Sequence, residues 1–199
     1  EVIRIHPEHL SLYNLIVEDG TPLAEQIANK EIPAPDDDVA ADMYELTMDF
    51  LASAGYEQYE ISSWATSPEF ESRHNKGYWQ ITPYLGIGAA AAGFAENMRT
   101  LNTPSIPEYI RRISDQESTL PFPLSEANTE RNIVENFTQM QETMMLGLRL
   151  TREGVSQAEF QHRYGKDIMM VFPQEIAHLL DKGLVEWVNL ADGQHLRLT

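Results

Sequence analysis

The chain has 199 residues, of which 42% are hydrophobic, a length and composition typical of one large folded domain or a medium one with a small one. Its net charge of −17 disfavours binding to nucleic-acid phosphates or to anionic membranes. No apolar run approaches the roughly 18 residues that a membrane helix needs, and no signal-peptide pattern opens the chain. The absence of cysteine excludes disulfides and thiolate metal sites in this sequence, and it fits a cytoplasmic location.

The first third of the chain predicts alternating strands and helices. A dense apolar run at 9–17 predicts a strand, Thr21 and Pro22 are typical of a helix start, and residues 36–38 supply the cap and first-turn acids of a longer helix. A second strand is predicted at 56–62. A strand, a helix and a strand in succession predict a βαβ unit whose two strands are parallel and adjacent. We expect the apolar face of the longer helix to be buried: Val39, Met43, Leu46, Thr47, Phe50, Leu51 and Ala54.

The remainder of the chain predicts short strands and then a helical domain. "GYWQI" and "YLGIG" are strand candidates, and 105–114 reads as a short helix. The proline-containing stretch "TLPFPLSEANT" is the best domain boundary, which gives domains at 1–120 and 121–199. Beyond it the pattern predicts a helix over 133–148, two further helices, and two strands around the turn "ADG". Three helices and a terminal hairpin predict a winged-helix-like domain.

The sequence also opens on Glu1, without an initiator methionine, and runs directly into an apolar pattern. We therefore expect it to be a piece of a longer protein.

Two places carry candidate chemistry, and each has a plainer explanation. Asn14 is unusual in so apolar a strand, and a ligand would satisfy a buried amide there; bonding to neighbouring backbone is the alternative. The small residues of "GIGAAAAG" allow a ligand to approach the backbone closely; tight packing of strand against helix is the alternative. The spacing of that stretch does not match a dinucleotide-binding loop. The six histidines are scattered, and we assign no catalytic residue and no metal ligand.

Several motifs taken in order resemble one known family. They are "SLYNLIVEDGTP", "GYEQYEISSWA", "RHNKGYW", "YLGIGAAAAG", "MRTLN" and "GLRLTREGV". In this order they resemble the HemW/HemN group of radical S-adenosylmethionine (SAM) proteins, which comprises oxygen-independent coproporphyrinogen III oxidases and their heme-chaperone relatives. The combination of "SLYNLIVEDGTP" with "RHNKGYW" looks closer to the HemW branch.

The resemblance implies a fold and a set of cofactors. The fold is α/β: the C-terminal strands and helices of a partial (βα)6 radical SAM barrel, similar to a TIM barrel, followed by a small helical winged-helix-like domain. Such proteins hold a [4Fe–4S] cluster on a C-x3-C-x2-C loop near their N-terminus, and SAM binds the cluster. This chain has no such loop, so we expect the full-length protein to carry SAM and the cluster, and this part alone to be non-catalytic.

The resemblance also implies positions for the binding residues. Tyr13, Asn14, Leu15 and Ile16, with Ser62 at the end of the next strand, would lie near the SAM adenosyl group. Three polar residues would sit on a loop over the barrel mouth, anchored by two aromatic ones: Arg73, His74 and Asn75, with Tyr78 and Trp79. Three small residues would edge a pocket for the substrate or a second ligand: Gly86, Gly88 and Ala89.

By the same resemblance, the full-length protein would bind and transfer heme, with a tetrapyrrole as ligand and a heme-acceptor protein as partner. The first alternative is a true coproporphyrinogen III oxidase, and the second is a non-catalytic interaction module. Few bases lie near the expected barrel mouth, which favours the chaperone over an enzyme for a carboxylate-rich substrate: Arg73, Lys76 and Arg99. Relatives often have Gly and His where this chain has Ala90 and Ala92, which leaves the particular tetrapyrrole open.

Overall fold

The computed structural model describes residues 2–114 and 119–199 of the chain. These residues form two compact units, one ending at Ser72 and the other running from Arg73 to Thr199. None of the helices in the described residues is long and apolar enough to cross a membrane. The domain boundary predicted between residues 120 and 121 stays a prediction.

The first unit combines a small antiparallel sheet with two helices. Its elements are β1 (His9–Ser11), α1 (Pro22–Ala28), α2 (Asp37–Ser53), β2 (Glu57–Glu60) and β3 (Ser63–Ala65). The predicted helix starts are confirmed, because the Thr21 hydroxyl accepts from the Ala24 N–H and the Asp36 carboxylate accepts from the Val39 N–H. Each cap satisfies a backbone donor that the first helical turn leaves without a partner.

The pairing of the strands differs from the prediction. The sheet order is β1-β3-β2, and both outer strands run antiparallel to β3. The two predicted strands are therefore parallel to each other, but the expectation that they are adjacent was wrong. The sequence around 56–65 forms a hairpin that turns at Ile61 and Ser62, and its second strand is the fully buried one. Strand β1 ends at Ser11. Beyond it, Leu12 makes one further hydrogen bond, from its N–H to the Ser62 carbonyl.

Helix α2 has apolar side chains on two faces. The described residues bury one of these faces and leave the other exposed. Leu51 is buried and packs with Tyr44 and Ala54 against Tyr56 and Trp64. Much of the predicted buried face is exposed instead: Val39, Met43, Leu46 and Phe50. These positions recur every three to four residues on a neighbouring face of the helix.

The second unit begins with a helix and a three-stranded antiparallel sheet. Its first elements are α3 (Arg73–Trp79), β4 (Ala92–Ala95), β5 (Met98–Asn102), α4 (Ile106–Ser114) and β6 (Asn128–Ile133), with strand order β4-β5-β6. The strand predicted at "GYWQI" was wrong, since most of it is helical. Of "YLGIG", only Tyr84 forms a bridge, with Phe94. Residues 133–135 were wrongly assigned to a helix; the polar strand β6 lacks the apolar alternation that reveals a strand.

The C-terminal part of this unit has the predicted winged-helix-like arrangement. It contains α5 (Asn136–Gly147), β7 (Val155–Ser156), α6 (Gln157–Tyr164), α7 (Ile168–Val171), α8 (Pro173–Asp181), β8 (Val185–Leu190) and β9 (Gly193–Leu198). The predicted last helix is two helices, because Pro173 cannot continue the ladder of hydrogen bonds. The core consists of seven buried residues: Met140, Val155, Phe160, Ile168, Ile176, Val185 and Leu196.

Two phenylalanines of this module provide a test of that core. Phe160 is 1% exposed, whereas Phe137 is 54% exposed, and both rings contact Phe172. We expect Phe160→Ala to lower the free energy of unfolding by about 3–5 kcal/mol, because it opens a cavity in the core. Phe137→Ala should change it by roughly 0.5 kcal/mol, as surface substitutions do. Urea unfolding of both variants measures the difference, and equal losses would contradict the core assignment.

Candidate functional site

Helix α3 presents two different faces, and this division organises the candidate site. With about 100° between successive residues, Arg73, His74 and Tyr78 fall on one side of the helix, and Lys76 and Trp79 fall on the other. The segment predicted to be a loop over a barrel mouth is therefore a short helix. Its three predicted polar residues do not act as one group, since Asn75 lies toward the second side.

The first face of α3 borders a cavity of about 290 Å³. The cavity is lined by Arg73, His74, Gly77 and Tyr78 from the helix and by Thr82, Pro83, Tyr84 and Leu85 from the segment after it. The His74 ring meets the Tyr78 ring edge to face at 4.8 Å, and Tyr78 meets Tyr84 at 4.7 Å. Edge-to-face contacts of this kind fix ring orientation. The helix thus offers an imidazole and a guanidinium beside an aromatic wall.

Tyr84 stands between this cavity and a second one of about 230 Å³. Its backbone exchanges two hydrogen bonds with Phe94, of 2.7 and 2.8 Å, which hold the residue on strand β4. Burial raises the pKa of the Tyr84 phenol, and the neighbouring Tyr78 adds to the effect. A tyrosine phenol is already neutral near pH 7 and can donate a hydrogen bond, and the upward shift of its pKa extends that range to higher pH. The second cavity also contains an ion pair, in which Arg99 donates to both oxygens of Glu142.

The second face of α3 packs on the C-terminal module. The Lys76 ammonium lies 2.5 Å from a Glu153 carboxylate oxygen, and both side chains are largely shielded from solvent. The Arg149 guanidinium carbon lies 4.4 Å from the centre of the Trp79 ring. Trp79 and Gln80 also line a cavity of about 40 Å³, which has room for a water molecule but not for an organic ligand. This face therefore anchors the helix.

The predicted small-residue pocket is a packing feature in this structure. The Asn102 amide donates to the carbonyls of Gly86 and Gly88, at 3.0 and 2.9 Å, and it accepts from Asn128. The Gly88 N–H donates to the Tyr109 hydroxyl, and Gly88 has a φ of +110°. Gly86, Gly88 and Ala89 line none of the cavities described here. At Gly86 the absence of a side chain allows the loop to lie close against strand β4, where a Cβ would meet the Ala92 carbonyl.

The predicted SAM-contacting residues lie in the first unit and divide into two groups. Asn14 and Ser62 border a cavity of about 370 Å³, together with residues of α2 that include Asp37 and Tyr44. Tyr13, Leu15 and Ile16 are exposed and line no cavity described here. Asn14 is itself exposed, so the expectation of a buried amide in a strand was wrong. The cavity nevertheless offers amide, hydroxyl and carboxylate groups, which suit the hydroxyls of a ribose.

Sequence reasoning missed a buried polar cluster in the same unit. His9 Nε2 lies 2.8 Å from the Tyr59 hydroxyl, which also accepts from the Ser72 N–H. Burial raises the pKa of the Tyr59 phenol. Glu60 is 1% exposed, and its Oε2 has no hydrogen-bond partner among the described residues. The pattern "EQYE" gives no signal of burial, because its charged residues resemble a solvated edge.

No group of three or more histidine, aspartate or glutamate side chains in residues 2–114 and 119–199 is arranged to hold a metal ion. The chain has no cysteine, so its residues do not fit the thiolate ligation of a [4Fe–4S] cluster.

Comparisons with known proteins identify the fold. Residues 135–199 match the HemN C-terminal domain. The structure of coproporphyrinogen III oxidase (HemN) from Escherichia coli, described as a radical SAM enzyme, superimposes with a TM-score of 0.66 at 15% identity. That match covers 100% of this chain and 46% of the solved one. The architecture is therefore that of a HemN-like fold.

Sequence relatives point to the same group. The heme chaperone HemW of Bacillus subtilis is 35% identical over 184 residues, which are 92% of this chain and 46% of the relative. HemW of Lactococcus lactis is 32% identical over 177 residues, which are 89% and 44%. A mouse mitochondrial protein, radical S-adenosyl methionine domain-containing protein 1, is 48% identical over 86 residues, which are 43% and 19%. The chain belongs to the HemW/HemN family, and it spans a little under half the length of the HemW proteins it matches.

Two glycines of the site give a matched test of its packing. A Cβ on Gly86 would lie 2.4 Å from the Ala92 carbonyl oxygen, whereas a Cβ on Gly77 meets only Thr82, at 3.9 Å. We expect Gly86→Ala to destabilise the chain by about 1–3 kcal/mol through overpacking. Gly77→Ala should stabilise helix α3 by roughly 0.5–1 kcal/mol. Thermal melts of both variants measure the change in stability. If Gly86→Ala leaves the melting temperature unchanged, the close approach of Gly86 to the Ala92 carbonyl is refuted.

Proposed function

We propose that this chain is the tetrapyrrole-handling C-terminal part of a HemW-like protein, and that helix α3 presents the heme-binding groups. The observation that carries the proposal is the arrangement of His74, Arg73 and Tyr78 on one exposed face beside a cavity of about 290 Å³. An imidazole is a ligand that heme iron accepts, and aromatic rings suit the flat face of a macrocycle. The two HemW relatives reported above are named as heme chaperones, which supports the same assignment.

Each group on this face has a chemical role in the proposal. His74 offers an imidazole nitrogen to the iron, and Tyr78 holds the ring through its edge-to-face contact. Arg73 is exposed at the edge of the cavity, so its guanidinium is available to a propionate carboxylate. Asn75 and Trp79 lie toward the anchored side, and we assign them to holding the helix.

SAM and the iron–sulfur cluster enter the proposal only for the full-length protein. Family membership implies both, and SAM supplies radical chemistry when it is bound to the cluster. In this chain Asn14, Ser62 and Asp37 would hold polar groups of a nucleoside through the cavity that they line. This chain has no cysteine thiolate to bind the cluster, so the proposal includes no reaction step on the cluster.

The exposure of the α3 site favours heme transfer over decarboxylation of coproporphyrinogen. Arg73 and His74 are exposed, and a carrier must release its ligand to an acceptor. A cytoplasmic location and a heme-acceptor partner remain predictions.

Paired histidine variants test the proposal. We expect His74→Ala in the full-length protein to weaken hemin binding by at least about tenfold, as loss of about 1.4 kcal/mol of binding free energy would. Its melting temperature should change little, because the side chain is exposed. His162→Ala, an exposed histidine on helix α6, is the control. Hemin titrations followed in the Soret region measure both. If His74→Ala binds hemin as the wild type does, the proposal fails.

A further inference from the structure

The short helix α3 needs support from outside itself. It has seven residues and contains Gly77, whereas isolated helices below about 12–15 residues are marginal in water. Its orientation therefore depends on tertiary contacts. Since Arg73, His74 and Tyr78 share one face, whatever fixes the helix rotation also fixes the direction of those side chains.

Three contacts on the opposite face supply that support, and all of them come from the C-terminal module. Glu153 pairs with Lys76, Arg149 stacks on Trp79, and the Arg163 guanidinium donates to the Gln80 carbonyl at 3.3 Å. These contacts span the last turn of the helix and the residue after it. A rotation of α3 about its axis would break them together.

The partners of this clamp are specific in their chemistry. The ion pair is shielded, with side chains 21% and 33% exposed, so it is less weakened by solvent than a surface pair. Arg149 Nε and Trp79 Nε1 are buried and have no hydrogen-bond partner among the described residues. The stack therefore rests on the planar guanidinium lying over the indole, which a lysine does not reproduce.

We infer that Glu153 and Arg149 of the C-terminal module are positioning residues for the tetrapyrrole site, acting through Lys76 and Trp79 to set the orientation of His74. This inference rests on the proposed function and assigns the C-terminal module a part in ligand binding. The module neither lines the 290 Å³ cavity nor touches the ligand in this account. It holds the helix that does.

Charge reversal provides the test. In the full-length protein, Lys76→Glu and Glu153→Lys each place like charges together, and each should weaken hemin binding by about five- to tenfold and shift the Soret band. The double variant restores an opposite-charge pair and should recover most of the affinity for hemin. Lys76→Arg alone keeps the positive charge beside Glu153 and should bind hemin almost as the wild type does. Arg149→Lys should weaken binding, because it keeps the charge and loses the planar stack.

A core residue of the same module is the matched control. Ile176 on α8 is 2% exposed and packs in the hydrophobic core of the module. Ile176→Val should lower the melting temperature without changing the hemin dissociation constant or the Soret maximum. A variant that merely destabilises the module is thereby separated from one that misplaces α3.

The outcomes distinguish this inference from the function on which it rests. If His74→Ala loses hemin but both reversals bind it as the wild type does, the positioning role is refuted and the heme site stands. If His74→Ala binds hemin as the wild type does, both the positioning role and the proposed heme site are refuted. Should a reversal fail to fold, Glu153→Gln decides, because it keeps the side-chain shape and removes the charge. An unchanged dissociation constant for it overturns the inference.

Discussion

The candidate site depends on the contact between Trp79 and Arg149. A helix of seven residues has little stability of its own, and Arg73, His74 and Tyr78, which we propose as ligand-binding residues, are exposed and contribute little packing. The indole supplies buried area, and the guanidinium over it ties the helix to α5 and the segment that follows it. The same sequence motif thus contains both the groups offered to a ligand and the group that holds them still.

A second constraint shapes the other wall of the cavity. Asn102 and Asn128 form a buried pair of amides that binds the carbonyls of the loop at Gly86 and Gly88. A buried amide that loses its partner is costly, so the loop has one favoured path. That path leads back to Tyr84, whose backbone pairs with Phe94. The path of this loop therefore places Tyr84, which lines two of the cavities.

The sequence predicted those features that local chemistry determines. The caps at Thr21 and Asp36 and the turn near Asp192 depend on one or two side chains and their neighbours, and all three are confirmed. The helix break at Pro173 follows from the same kind of local rule, although we missed it. The mixed α/β class was also predicted correctly. The neighbours of each strand were not predicted correctly. Strand β3 lies between β1 and β2 because it is the buried strand, and burial depends on residues far away in the sequence.

The sequence predicted the segment that forms the candidate site, and that site stays a prediction, but the sequence did not separate the two sides of the segment. The resemblance identified "RHNKGYW" and treated its polar residues as one set on a loop. Seven residues are too few for a periodic apolar pattern, since only Tyr78 and Trp79 are large and they are adjacent. The residues that contact the anchored side of the helix, Arg149 and Glu153, lie seventy or more residues beyond their partners Trp79 and Lys76 in the chain. Sequence rules that consider neighbouring residues do not detect such distant contacts. Only the structure therefore separates the two sides of helix α3.

Under the proposed function, the division of the helix explains how an acidic chain would hold a dianionic macrocycle. The chain carries −17 overall, which repels propionates at long range. Within about 10 Å, however, local charges outweigh a screened net charge. Lys76 pairs with Glu153 on the anchored side, and Arg73 lines the cavity together with residues that carry no negative charge. Weak long-range repulsion with short-range attraction favours a ligand delivered at close quarters and released again, which is what a carrier requires.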